Sequence, residues 1–138
     1  MVAKKLYTPA QANAALPLVR RIVQDIVDLA HTLRDRHQLL GRLREGPAVG
    51  DAYHEEVLAL EQELLHGQER MEELVGELAA LGVELKDFFM GLVDFRCLMN
   101  GREVYLCWKL DEPSVAHWHE LDAGFSGRQR LTPDVSRA

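Results

Sequence analysis

Residues 92–110 read LVDFRCLMNGREVYLCWKL, and their pattern decides the fold. Asn100-Gly101 sits between two runs that alternate in polarity. An Asn-Gly pair in that setting marks a two-residue hairpin turn, because both residues tolerate the positive φ that the turn requires. The turn fixes the register. Met99 then opposes Arg102, Cys97 opposes Val104, Phe95 opposes Leu106 and Val93 opposes Trp108. The last three pairs are apolar and share one face, which supports the turn independently. The other face pairs Arg96 with Tyr105 and Asp94 with Cys107.

Downstream, Asp111-Glu112-Pro113-Ser114 turns the chain, and Val115–His119 reads as a third strand antiparallel to the second. If Val115 opposes Leu110, His117 and His119 fall on the apolar face. A shift of one residue places Trp118 there and both histidines beside Cys107. Burying a tryptophan is favourable, and burying two unpartnered imidazoles is costly, so the shifted pairing is expected. With a five-residue loop it sets His119 opposite Cys107.

Upstream, the pattern is helical. Thr8-Pro9-Ala10-Gln11 combines a capping threonine, a first-turn proline and the glutamine of a capping box. Pro17 lacks a backbone donor, which predicts a kink or break near Leu16. Beyond it Val19, Ile22, Val23, Ile26, Leu29, Ala30, Leu33, Leu40 and Leu43 mark one face of a long amphipathic helix. Gly46–Gly50 breaks the chain, and Asp51 is a natural cap for a second helix. In that helix Val57, Leu64, Met71 and Leu78 are seven apart, with Leu60, Gly67, Leu74 and Leu81 as the second seam of a coiled-coil-like repeat. Gly82 ends it.

The expected class is therefore α+β: a long antiparallel two-helix hairpin, residues 8–82, and a small three-stranded antiparallel β-sheet. The β unit and C-terminal loop would span 88–131, with a frayed tail over 132–138. A chain of 138 residues is one domain's worth. The charge of −6 argues against nucleic acid, which needs a basic surface. Residues 1–45 hold eight basic and four acidic side chains, and residues 51–90 hold two and eleven, so the two helices should face one another. No apolar run suits a membrane span and the N-terminus shows no secretory pattern. Two cysteines, Cys97 and Cys107, suit free thiols in a reducing cytoplasm.

Candidate chemistry gathers on the polar face of the sheet. Asp94, Cys107 and His119 would lie on neighbouring strands, with His117 near them. Opposed side chains sit about 5 Å apart at Cβ, within reach of a shared ion. Thiolate, imidazole and carboxylate together suit zinc or a similar divalent metal. The same residues could form a Cys-His-Asp nucleophilic set, but a mid-strand cysteine is poorly placed for attack. A loop with Gly124, Gly127 and Arg128 could hold an anion, or could simply plug the core with Phe125 and pair Arg128 with a local acid such as Asp122. Asp28-x-x-His31 and Glu63-x-x-His66 resemble half of a dinuclear site, but Glu63 and His66 fall outside the helical seam.

YTPAQANAALPLVRRIV (7–23), LGVELKD (81–87), GLVDF (91–95) and GREVYLCWKLDEPSVAHWHELDAGFSGRQ (101–129) resemble the bacterial family catalogued as domain of unknown function 2203. The resemblance implies a small cytoplasmic bacterial protein without an assigned reaction, and brings no catalytic residues. Two positions depart from its pattern: Arg96 stands where proline often follows VDF, and His117 stands where an aromatic is common. The second departure favours His119 over His117 as a metal ligand. The leading expectation is a non-enzymatic interaction or scaffold domain, a homodimer joined through its helices, open to another protein partner. The alternative is a divalent-metal-binding or metal-dependent protein.

Overall fold

The computed structural model describes residues 5–47 and 50–132; the expected C-terminal tail beyond 132 lies outside the described residues. Helix α1 spans Pro9–Glu45 and α2 spans Gly50–Ala80. Five strands come after them: β1 (Val83–Asp87), β2 (Leu92–Met99), β3 (Arg102–Lys109), β4 (His117–His119) and β5 (Gln129–Arg130), with a short 3₁₀ turn at Phe125–Gly127. They form one antiparallel sheet in the order β1-β2-β3-β4-β5.

The start of α1 obeys its sequence signals. Thr8 accepts from the Gln11 amide at 3.1 Å, and the Gln11 side chain accepts from the Thr8 amide at 3.0 Å. Of the kink or break expected near Leu16, the break does not occur: α1 is one continuous helix with Pro17 inside it. Pro17 lies on the exposed side, where water can satisfy the carbonyl that a proline leaves without a donor. Asp51 does not cap α2 but lies inside its first turn, where a carboxylate complements the helix dipole.

The two helices pack along the expected seam. Leu60, Leu64, Gly67, Leu74 and Leu78 are buried, and Val57, Met71 and Leu81 are half-buried. Arg36 pairs with Glu63 at 2.9 Å and Arg44 with Glu61 at 3.1 Å, so the basic helix does meet the acidic one. These exposed pairs contribute little individually. The proximal half of the hairpin covers the sheet. Val19, Ile22, Val23 and Ile26 of α1 join Leu74 and Leu78 of α2 against Val93, Phe95, Leu106, Trp108 and Trp118. The distal half holds itself together through Leu40, Leu60 and Leu64.

The central hairpin has the predicted register throughout, from Leu92↔Lys109 to Met99↔Arg102. Asn100 and Gly101 take φ of 51° and 80°, as a turn of the I′ type requires. The sheet nevertheless has five strands, not three, so the β unit begins at Val83 rather than at residue 88. β1 is five residues long directly after a helix, and β5 is only two, too short for any periodic signal.

The strand expected over Val115–His119 is also corrected. Trp118 does face the core and both histidines the other side, but the pairing is Cys107↔His117, Leu106↔Trp118 and Tyr105↔His119. His119 is thus two residues from the expected place opposite Cys107. Val115 and Ala116 are not in the strand. Asn13 of α1 grips Val115 instead, accepting its amide at 2.8 Å and donating to its carbonyl at 3.2 Å. Residues 110–116 are thus outside the strands, while the connection between opposed residues is two shorter than expected, since Cys107 meets His117 rather than His119.

Candidate metal centre

The outer face of the sheet, opposite the helices, carries the polar side chains. Strand alternation places Asp94 of β2, Cys107 of β3 and His119 of β4 there. Asp94 is 3% exposed, His119 2% and Cys107 0%. Leu121, Gly124 and Phe125, from the segment after β4, stand beside Asp94 and His119 on this face. One potential ligand atom from each of the three residues can be chosen so that all lie within 4.8 Å of one another. His119 reaches the group diagonally, since the residue directly opposite Cys107 is His117.

The hydrogen bonds of His119 define what the cluster can do. Its Nδ1 lies 2.7 Å from the carbonyl oxygen of Glu120. A carbonyl only accepts, so Nδ1 carries the proton and donates. The remaining nitrogen, Nε2, lies 3.1 Å from both carboxylate oxygens of Asp94. In neutral imidazole that nitrogen is a bare lone pair, and it faces two more acceptors. The arrangement is stable only with a cation between them, either a proton or a metal ion. The Cys107 thiol faces the same carboxylate across the β2–β3 pair and supplies a third donor atom. Ligand atoms around a tetrahedral zinc with bonds of about 2.0–2.3 Å lie roughly 3.3–3.6 Å apart, so Asp94 and His119 at 3.1 Å would part slightly, and the three ligand atoms, within 4.8 Å of one another, would draw together, around one ion.

Burial sets the protonation of the metal-free cluster. Desolvation pushes Asp94 above the ordinary carboxylate range, and the His119 charge and hydrogen bond offset only part of this. Desolvation, then the facing Asp94, push the Cys107 thiol up to about 12. Such a thiol is no nucleophile at neutral pH. It becomes a ligand only when a metal displaces its proton.

Asp94 and His119, but not the fully buried Cys107, line a cavity of about 190 Å³ together with Lys86, Leu92, Tyr105, Leu121, Gly124 and Phe125. Phe125 is 40% exposed, so it walls this cavity rather than plugging the core. A hollow of about 350 Å³ near Lys5, Val75 and Phe88 is larger, but among the described residues only the Asp94 group gathers three metal-ligating side chains.

His117 stands outside this group. Its Nδ1 lies 3.6 Å from a Glu112 oxygen, and burial followed by the Arg128 charge lowers its affinity for a proton. Glu112 is a residue the sequence patterns miss. One of its carboxylate oxygens accepts the Lys109 amide at 3.0 Å, and the other meets Arg128 at 2.5 Å. Arg128 is therefore committed to Glu112, not Asp122, and it also stacks over Phe125. Gly124 and Gly127 belong to the 3₁₀ turn, where the Gly127 amide donates to the Gly124 carbonyl. The Ala123, Gly127 and Arg128 amides donate to carbonyls within this segment, while Arg128 Nε is buried without a hydrogen-bond partner among the described residues. On the helices, Glu63 pairs with Arg36 and the ring of His31 packs on Phe89.

This chain belongs to the family described as uncharacterized conserved protein (DUF2203). The family model matches residues 5–131, both helices and the whole sheet with its covering loop. No curated protein and no solved structure matches the chain. Among the described residues of this DUF2203 protein, no helix is long and apolar enough to cross a membrane.

Proposed function

We propose that this chain is a divalent-metal-binding protein, with Asp94, Cys107 and His119 holding a zinc-like ion between the sheet and its covering loop. One observation carries the reading: His119 donates Nδ1–H to Glu120 and turns its other nitrogen onto a buried carboxylate, with a thiol alongside. A backbone carbonyl on the distal nitrogen is the usual device for orienting a metal-binding histidine. The free, buried thiols fit a reducing compartment, and we assign the protein to the cytoplasm. The test is elemental analysis of the purified full chain beside its Cys107→Ala and His119→Ala variants. One ion per parent chain, lost in both variants, is expected. A parent chain that carries no metal and takes up none after dialysis against zinc would sink the proposal.

A second role, non-enzymatic self-association through the helices, is favoured by Leu58 and Leu65. They stand one heptad apart on α2 and are 57% and 55% exposed. Light scattering is expected to give a dimer that Leu65→Glu dissociates. A strict monomer at micromolar concentration refutes this role.

A further inference from the structure

We propose that the metal centre keeps one coordination position open and takes a short-chain carboxylate there, with Lys86 as the counter-charge. The inference rests on the metal reading of Asp94, Cys107 and His119. Three protein ligands leave a tetrahedral divalent ion one position short, the arrangement of reactive or ligand-exchanging sites rather than closed structural ones. The missing position has a direct route to it, because two of the three ligands line the cavity.

The lining of the cavity selects the ligand. Leu92, Leu121 and Phe125 present apolar surface, and Tyr105 supplies an aromatic wall. Lys86 is the one cationic side chain among the lining residues. With a divalent ion in place, the Asp94 carboxylate and the Cys107 thiolate cancel the charge of the ion. What remains is the ammonium of Lys86 beside a neutral centre, a setting for a single negative charge. Lys86 rests 3.1 Å from Glu84, but Arg96 also answers Glu84, at 3.3 Å, so that carboxylate keeps a cation if Lys86 turns to a ligand. Lys86 is also exposed, which leaves it room to move.

Size limits the choice further. A water molecule occupies about 30 Å³ of liquid, so the cavity of about 190 Å³ holds a molecule of only a few non-hydrogen atoms. A carboxylate with a tail of one to three carbons places an oxygen on the metal, its charge toward Lys86 and its tail against Leu121 and Phe125. A nucleotide exceeds the space, and a phosphate dianion exceeds the single positive charge.

The full chain loaded with cobalt(II) provides the test, because thiolate-to-cobalt and d–d bands report the metal and its open position separately. Acetate should shift the d–d bands saturably, and acetamide, its neutral isostere, should not. Lys86→Met should weaken acetate binding about tenfold, the loss of one charge-assisted contact, while the bands before addition stay as in the parent. Equal shifts from acetate and acetamide, no shift from either, or unchanged acetate affinity in Lys86→Met would each overturn the inference with metal binding intact. Absence of the thiolate-to-cobalt band would instead overturn the metal reading itself, and this inference with it.

Discussion

Asp94→Asn should stabilise the metal-free protein and weaken the protein's hold on a metal. The carboxylate is 3% exposed, and burial raises its pKa despite the nearby imidazole. A net upward shift means that the environment disfavours the charged form, so the charge costs the fold stability. Asparagine keeps the shape and reverses half of the polarity. Its carbonyl can accept the Cys107 thiol, and its amide can donate to the His119 nitrogen now 3.1 Å from two acceptors. Replacing a buried ionic group by a neutral, fully hydrogen-bonded isostere is worth about 1–2 kcal/mol here, roughly 4 °C in Tm. A carboxamide is a poor ligand for a divalent ion, so metal retention should fall at the same time. The assay is urea unfolding of chelator-treated parent and variant, with the slope checked for constancy. A loss of about 3 kcal/mol or more in the metal-free variant would refute the reasoning, since that is the cost of breaking a buried charge pair built for stability.

Metal-free protein should lose stability in alkali. The Cys107 thiol ionises near 9.0 when unfolded and about 12 when folded, so its contribution is fully present below pH 9 and is lost as pH rises toward 12, at up to about 1.4 kcal/mol per pH unit. Cys107→Ala should flatten that slope in urea midpoints measured along the alkaline range; an unchanged slope would contradict the assignment. Gly67→Ala should destabilise the hairpin by about 1–2 kcal/mol, because a Cβ there would overlap Leu33 Cδ2 and lie 3.2 Å from Leu33 Cγ. Adding Leu33→Ala should return part of that loss in thermal melts, and no recovery would place the clash elsewhere. Arg128→Met should cost about 2 kcal/mol and speed amide exchange over residues 120–128, since the pair it breaks with Glu112 is only 12% and 17% exposed. Unchanged exchange there would mean that Glu112 does not hold the cover.

Long-range periodicity carried most of the fold. The seven-residue repeat of α2 and the Asn-Gly turn are signals of ten residues or more, and both describe the structure. The errors fall where signals are short or where tertiary contacts override them. The break allowed for at Pro17 is absent, and α1 is held on both sides of it by Ala12, Leu16, Val19 and Ile22 in the core. β1 and β5 exist by pairing with strands already formed, and two to five residues cannot announce that. Glu112 lay in a stretch read only as a turn, and no local pattern shows that its partners are Lys109 and Arg128.

The candidate site shows how far parity reaches. Side-chain direction alternates every residue along a strand, so one well-placed apolar side chain settles which residues share a face. Trp118 did this for β4, and it put His119 on the face of Asp94 and Cys107 without any knowledge of the loop. Register is a different quantity. It depends on the turn between the strands, where Val115 is bound to Asn13 of α1, a contact spanning 102 positions that no local pattern announces. The resulting offset of two residues preserves the face and changes the neighbour, so His117 stands opposite Cys107. His119 still reaches Asp94 because the Glu120 carbonyl fixes its ring and a diagonal neighbour on a twisted sheet lies within range of an imidazole. Those two contacts separate the histidines. The ring of His119 is held at both nitrogens within the buried cluster, and the ring of His117 is left beside Glu112 at the edge.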